Sequence, residues 1–272
     1  MKLKSKLLII AGSDSSGGAG IQADIKTATS LGVYAMTAIT AITAQNTTGV
    51  KSIVPVPPKE IFNQISFSVQ DIKPNSVKIG MLHNVGVIKE VIKAIKKYKL
   101  KNIVIDPVMV AKGGHRLISN SSINYLRKKL LPYALLVTPN IPEAETLIKK
   151  RIKTLEDIIK AGKEILKFGP KFVLIKGGHT NKSFIEDVLI SKKNIKIFKN
   201  KKIKTKNTHG TGCTLSSATA SFISKNYGMN ESCRRSIQYV HKAILLNPKF
   251  GRGHGPINHM ALLLSLIHIS EP

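Results

Sequence analysis

With 272 residues, 42% of them hydrophobic, the chain can bury the core of one large α/β domain, and no linker, low-complexity block or repeat divides it. Its 43 Lys and Arg against 15 Asp and Glu give a formal charge of +28 and draw anions, but the lysines are scattered through stretches such as residues 89–101 and 149–171 without aromatic interleaving, zinc spacing or a reader motif, so no nucleic-acid partner is expected. The two cysteines lack metal-ligand spacing and are too few for a disulfide framework; the apolar runs at residues 7–11 and 261–269 are too short for a secretory core or a bilayer span, so a cytoplasmic protein without a membrane partner is expected.

In chain order, the first predicted strand is the apolar run at residues 7–11, which meets Gly12-Ser13-Asp14-Ser15-Ser16-Gly17-Gly18-Ala19-Gly20 and then a helix opening on Ile21-Gln22-Ala23-Asp24. This loop lacks the Gly-Lys-Ser/Thr of a Walker A motif and is no dinucleotide fingerprint, so it marks either close approach of a small ligand or a tight turn. An alternating small apolar run at residues 38–44 leads to Gln45 in Thr43-Ala44-Gln45-Asn46-Thr47-Thr48-Gly49. The Gln45 amide can serve a turn, or can offer a donor and an acceptor side by side to an aminopyrimidine edge.

Three more strand-then-loop units follow: residues 77–79 before Gly80-Met81, 103–105 before Asp106-Pro107, and 135–137 before Thr138-Pro139-Asn140. Met81 and Val108 suit either core packing or the apolar walls of a pocket, whereas Asp106, an acid at a buried strand end, needs a partner. Asn140 and Glu143 flank a helix entrance; they can cap it, hold the water shell of Mg²⁺ on nucleotide phosphates, or do both. Residues 172–175 precede Lys176-Gly177-Gly178, where Lys176 can reach a phosphate or lie solvated on the surface. A two-strand element is predicted over residues 187–203, with Ile195-Lys196-Ile197-Phe198 and Lys202-Ile203 on either side of a Lys/Asn turn.

The strongest local signal is His209-Gly210-Thr211-Gly212-Cys213, followed by a run of small residues at 214–222 that suits a closely packed helix. Glycines let the backbone approach an anion, and the N–H groups opening the helix then point at it. The repeated βα rhythm implies a mostly parallel sheet, and in such sheets ligands gather beyond the carboxyl ends of the strands, so all these loops should meet in one crevice.

Taken together, these ordered motifs resemble the hydroxymethylpyrimidine/phosphomethylpyrimidine kinases, a branch of the ribokinase-like superfamily. The resemblance runs from Gly12-Ser13-Asp14 through Ala44-Gln45-Asn46-Thr47, Lys78-Ile79-Gly80-Met81-Leu82, Asp106-Pro107-Val108-Met109 and Thr138-Pro139-Asn140 to Asn207-Thr208-His209-Gly210-Thr211-Gly212-Cys213-Thr214. It implies a three-layer α/β/α sandwich over residues 1–260, a homodimer, and MgATP-dependent phosphorylation of 4-amino-5-hydroxymethyl-2-methylpyrimidine and then of its monophosphate, in thiamine diphosphate biosynthesis. Gln45 would read the pyrimidine edge, with Gly12, Asp24, Met81 and Val108 lining its pocket. Lys176, Asn140 and Thr208 would serve ATP, and Asp106 and Glu143 would take Mg²⁺ through water.

Gly210, Thr211 and Gly212 would form the anion loop around Cys213, which stands where related sugar and pyridoxal kinases commonly carry an aspartate base. A helix N-terminus favours the thiolate, so Cys213 is the expected base. A pyridoxal kinase is the neighbouring alternative, and a basic nucleic-acid-binding protein on a degenerate kinase fold is the alternative from another class. The family ends soon after the glycine-rich stretch at residues 251–259, so residues 261–272 are expected to be a foreign tail.

Overall fold

The computed structural model describes residues 4–110, 117–177 and 183–262. In chain order the elements are β1 (Lys6–Asp14), α1 (Gly20–Ser30), β2 (Tyr34–Asn46), β3 (Gly49–Pro55), α2 (Pro58–Asp71), β4 (Ser76–Ile79), α3 (Val85–Tyr98), β5 (Ile103–Ile105) and α4 (Asn120–Tyr125). After a π turn and a 3₁₀ turn come β6 (Leu136–Val137), α5 (Ile141–Ile148), α6 (Leu155–Leu166), β7 (Phe172–Ile175), β8 (Phe184–Ser191), β9 (Ile195–Lys201), α7 (Thr211–Ser224) and α8 (Met229–Leu245).

The nine strands of the described residues form one sheet in the order β3-β2-β1-β4-β5-β6-β7-β8-β9. The central pairs from β2 to β7 are parallel, and the β2–β3, β7–β8 and β8–β9 pairs at the two edges are antiparallel. Strand β1 shows why the sheet is a middle layer. Alternate side chains leave its two faces, and Leu8 and Ile10 join a core with residues of α2 to α6, while Leu7, Ile9 and Ala11 join another with residues of α1, α7 and α8. Covered on both sides, its residues from Leu7 to Ile10 are fully buried, which is why the strand reads as a continuous apolar run rather than an alternating one. The expected three-layer α/β/α architecture is the observed one.

Two local expectations are corrected. The predicted turn between Phe198 and Lys202 does not exist; β9 continues through Lys201, and the chain reverses instead between β8 and β9. Ser191 Oγ accepts the backbone N–H groups of Lys193 and Asn194 there, and Asp187 pairs with Phe198 in an unbroken register. Strand β1 also runs on to Asp14, through what reads in the sequence as loop, with a register irregularity between Ala11 and Ser13. At the other terminus, Ala261 is buried against Ala243 and Ile257, so the fold still holds the first residue of the expected tail; residues 263–272 lie outside the described residues. Among the described residues no helix is long and apolar enough to cross a membrane.

Candidate active site

Two glycine loops meet at the carboxyl edge of the sheet. Helix α7 opens at Thr211 with Gly210 as its N-cap, at φ 84°, and a Cβ there would lie 1.8 Å from the carbonyl oxygen of Gly18. Only glycine allows both the left-handed backbone and that approach, so the loop after β1 and the loop before α7 are pressed together. The run of small residues behind it does what its composition suggests: α7 is buried from Thr214 to Ser224, and hydroxyls such as Thr219 and Ser216 bond back to carbonyls one turn earlier. The positive end of α7 therefore emerges from the core at Thr211, Gly212 and Cys213.

Charged groups from three strand ends face that helix start. Asp106 follows β5 and Lys176 follows β7; Lys176 Nζ donates to Asp106 Oδ1 at 2.8 Å and lies 3.9 Å from Glu143 Oε2. Thr138, after β6, donates to Asp106 Oδ1 at 3.2 Å. A Cβ on Gly212 would stand 3.2 Å from Lys176 Nζ and 3.6 Å from Asp106 Oδ2, which places this ion pair at the mouth of the anion loop. Asn140 and Glu143 form a reciprocal capping box on α5: Asn140 Oδ1 accepts from the Glu143 N–H, and Glu143 Oε2 accepts from the Asn140 N–H.

Burial pushes the Glu143 carboxyl up to about 7, with the Asp106 carboxylate adding to the rise and Lys176 opposing it. Burial works against the Lys176 ammonium, but Asp106 and Glu143 outweigh it and raise its pKa, so Lys176 stays cationic. Among the described residues no group of three His, Cys, Asp or Glu side chains is placed to hold a metal ion. Two carboxylates without a closed cage suit Mg²⁺, which keeps several waters and binds through one or two carboxylates together with substrate phosphates.

A second cluster lies at the ends of β1 and β2. Asp14 Oδ2 accepts from His209 Nε2 at 2.7 Å and from the Ala19 N–H at 2.8 Å, and Asp14 Oδ1 accepts from Ser16. Burial alone would raise this carboxyl, but the hydrogen bonds from His209 and Ser16 prevail and hold it at about 2. A carboxylate only accepts, so His209 Nε2 carries the proton. The Gln45 amide lies 3.3 Å from that same nitrogen, which already donates to Asp14, and this leaves the amide capacity for another partner. Gln45 is further held by its backbone, whose N–H and C=O both bond Ser15 Oγ. Met81 packs in a small apolar cluster with Ala41, Leu117, Ile53 and Val108, and its methyl lies where a Cβ of Gly12 would stand.

The structure thus brings Gly12, Met81 and Val108 together on one side, and Asp106, Asn140, Glu143 and Lys176 around the start of α7 with Gly210, Thr211, Gly212 and Cys213 on the other. Thr208 precedes that start, its carbonyl accepting from Thr211 Oγ1. Asp24 is placed differently from the expectation. It has no exposed surface and lies beneath the site, accepting from Lys78 Nζ at 2.6 Å and from Ser217 Oγ at 2.5 Å. Burial raises the Asp24 carboxyl, while the carboxylate raises the pKa of Lys78 against the effect of burial there. The short contact and the hydroxyl on the second oxygen favour the ionised pair, since neutral Lys78 would forfeit its charge-assisted bond.

Cys213 also departs from expectation. Burial pushes its thiol up to about 11; Asp24 and Asp106 add to this, and Lys78 and the Gly20 N–H only partly offset it. The helix N-terminus is not enough to make a thiolate at neutral pH in the free protein, because the sulfur is desolvated and two carboxylates face it.

Sequence reasoning assigned no role to Lys78, Asp14 or Ser217. Lys78 had a readable signal, a cation in the middle of a strand otherwise buried on both faces, which demands a buried anion.

The chain is similar to known kinases in both sequence and fold. The family model described as phosphomethylpyrimidine kinase matches residues 14–258. The hydroxymethylpyrimidine/phosphomethylpyrimidine kinase of Bacillus subtilis is 41% identical over 267 residues, with 98% of each chain covered. The thiamine biosynthesis bifunctional protein ThiED of Geobacter sulfurreducens is 43% identical over 257 residues, and there the chain spans only 52% of the relative's length. Among solved structures, the ADP complex of Bacillus subtilis pyridoxal kinase superposes with a TM-score of 0.90 at 37% identity, covering 96% of this chain and 99% of that one. The phosphomethylpyrimidine kinase of Clostridium difficile gives 0.80 at 44% identity, covering 89% of this chain and all of the other.

Proposed function

Since the chain belongs to the phosphomethylpyrimidine kinase family, we propose that it is an ATP-dependent kinase that phosphorylates the hydroxymethyl oxygen of 4-amino-5-hydroxymethyl-2-methylpyrimidine and then extends the monophosphate to the diphosphate, within thiamine diphosphate biosynthesis. The observation that carries this reading is the convergence of the Lys176–Asp106 ion pair and Glu143 on the half-buried start of α7, with Gln45 across the same edge of the sheet. Phosphoryl transfer needs little covalent help from a protein; it needs in-line positioning and neutralisation of charge on the moving group.

ATP supplies the phosphoryl group, and the N–H groups of Thr211, Gly212 and Cys213 would stabilise the charge that develops on it. Lys176, Asn140 and Thr208 would hold the nucleotide phosphates. Asp106 and Glu143 would carry Mg²⁺ through water, and the ion would supply positive charge to offset that of the phosphates. Cys213 would take the hydroxyl proton. Gln45 would read the ring nitrogen and amino group of the pyrimidine, with Gly12, Met81 and Val108 as apolar walls. Asp24 would act from below, through its ion pair with Lys78.

Pyridoxal phosphorylation is the second reading, favoured by the likeness to pyridoxal kinase structures. A competition assay separates the two: the hydroxymethylpyrimidine is expected to be turned over faster than pyridoxal, and the reverse order would overturn the assignment. In the same assay Gln45→Ala is expected to raise the pyrimidine KM about tenfold with a smaller effect on kcat, because the amide contributes to ground-state recognition. An unchanged KM would remove Gln45 from that role.

We read residues 1–260 as one kinase domain in a cytoplasmic protein, in keeping with its two unpaired cysteines. A homodimer is supported by Ile42 and Val54, register partners on the β2–β3 hairpin that are 55% and 61% exposed. Ile42→Lys is then expected to give a monomer by light scattering, and an unaltered mass would move the interface elsewhere.

A further inference from the structure

The glycine-rich stretch Gly251-Arg252-Gly253-His254-Gly255-Pro256-Ile257-Asn258-His259 has no part in the chemistry above, yet it touches both halves of the site. On one arm, the His254 N–H donates to the carbonyl of Thr47 at 2.8 Å and the Gly253 N–H donates to Thr47 Oγ1 at 3.2 Å. Thr47 is two residues beyond Gln45, in the turn between β2 and β3. On the other arm, the Gly255 carbonyl accepts the His209 N–H at 3.0 Å, and Pro256 forms a parallel bridge with His209, the residue before Gly210.

Both arms exclude side chains. A Cβ on Gly253 would lie 2.1 Å from the Thr47 carbonyl oxygen, and one on Gly255 would lie 2.4 Å from Asn207 Oδ1. The obstacle at Gly253 is backbone, so no rotamer change relieves it. From Gly253 to Gly255 the chain spans at most about 7 Å, which fixes how far the β2–β3 turn can stand from the anion loop.

The stretch is also anchored at its far end. The Asn258 N–H donates to the Ala243 carbonyl, the His259 ring meets Thr214 Oγ1 at 3.0 Å, and the His259 carbonyl accepts from Ser30 Oγ at 2.7 Å and Tyr239 OH at 2.5 Å. Thr214 directly follows Cys213, so the anchor belongs to the helix that carries the anion loop. Three helices, α1, α7 and α8, thus form the common base from which the two arms reach.

We propose that residues 251–259 form a clasp that sets the distance between Gln45 and the anion loop, and that Gly253 is a positioning residue for the acceptor substrate. The proposal rests on the kinase reading given above. It predicts a selective effect, because the arms hold the acceptor side of the crevice against the phosphate side while Lys176, Asp106 and Glu143 are held by other strands.

The test is steady-state kinetics on the full chain carrying Gly253→Ala. The added methyl must push the Thr47 carbonyl away, and the KM for the hydroxymethylpyrimidine is expected to rise about tenfold or more while the KM for ATP changes less than about twofold. Hydrogen exchange at the His254 and His209 amides supplies a readout that needs no substrate, and both are expected to exchange faster. Thr47→Val, which keeps the side-chain shape and removes the Oγ1 acceptor, is expected to shift the same KM in the same direction by less; it decides the matter if Gly253→Ala does not fold. Equal rises in both KM values, or unchanged pyrimidine KM and unchanged exchange in a folded variant, overturn the clasp. If the wild-type protein phosphorylates pyridoxal and not the pyrimidine, the substrate assignment fails separately, and the same split is read on pyridoxal.

Discussion

Cys213→Ala is expected to lower kcat by about 10² to 10⁴-fold while leaving nucleotide and pyrimidine affinity nearly unchanged, the range that a positioned general base contributes. The thiol sits in the first turn of α7, where its removal deletes no backbone donor of the anion loop, so binding and turnover should separate cleanly. Its pKa supplies a second signature. Because burial and the facing carboxylates Asp24 and Asp106 raise the thiol to about 11, the base form is scarce at neutral pH and grows as pH rises. Wild-type kcat should therefore climb roughly tenfold per pH unit above neutrality until another step limits it, and the slope should vanish in the alanine variant. Near-normal turnover in Cys213→Ala would show that the hydroxyl proton leaves by another route.

The largest expected loss of stability lies below the site. Lys78 and Asp24 are both without exposed surface, and Ser217 completes the carboxylate's bonding from the helix that carries Cys213. Removing only the cation in Lys78→Met leaves a buried carboxylate unpaired, which is expected to lower unfolding stability by about 3–5 kcal/mol. Replacing both charges, in Lys78→Met/Asp24→Leu, removes the uncompensated charge and is expected to recover most of that loss. Denaturant unfolding of the two variants measures the difference; a single variant as stable as the double one would mean that Asp24 takes up a proton once Lys78 is gone, leaving no buried charge unpaired. The pair joins β4, α1 and α7, so the double variant should keep its fold yet show reduced turnover where α7 is no longer pinned from beneath.

Much of this architecture is legible along the chain, because the signals are local. The predicted runs at residues 103–105 and 172–175 coincide with β5 and β7, since a parallel strand covered on both faces must be continuously apolar and the residue that ends it marks the loop. Gly210 is similarly legible, a glycine at the start of a small-residue helix. Asn140 and Glu143 are legible as a capping box from their spacing of three, whatever further role they take. The β8–β9 turn is not legible in the sequence, because Lys and Asn recur on both sides of residues 195–198, and only the pairing of Asp187 with Phe198 selects between the two possible reversals.

What the chain order cannot supply is which distant groups meet. Asp14 and His209 are 195 positions apart and share a hydrogen bond; Asp24 and Ser217 are separated by 193. No periodicity links such residues, and composition is silent on them. The sequence by itself determined the strand-and-loop rhythm, the glycine-opened helix and the residue types at the crevice, because each depends on neighbours a few positions away. Only the tertiary structure decided that Asp24 serves a buried ion pair rather than the pocket wall, that Cys213 is a desolvated thiol rather than a ready thiolate, and that the glycine-rich stretch at residues 251–259 bridges the two halves of the site. In each case the deciding quantity is burial or proximity between remote segments, which arises only when the sheet has closed and its carboxyl edge has gathered the loops.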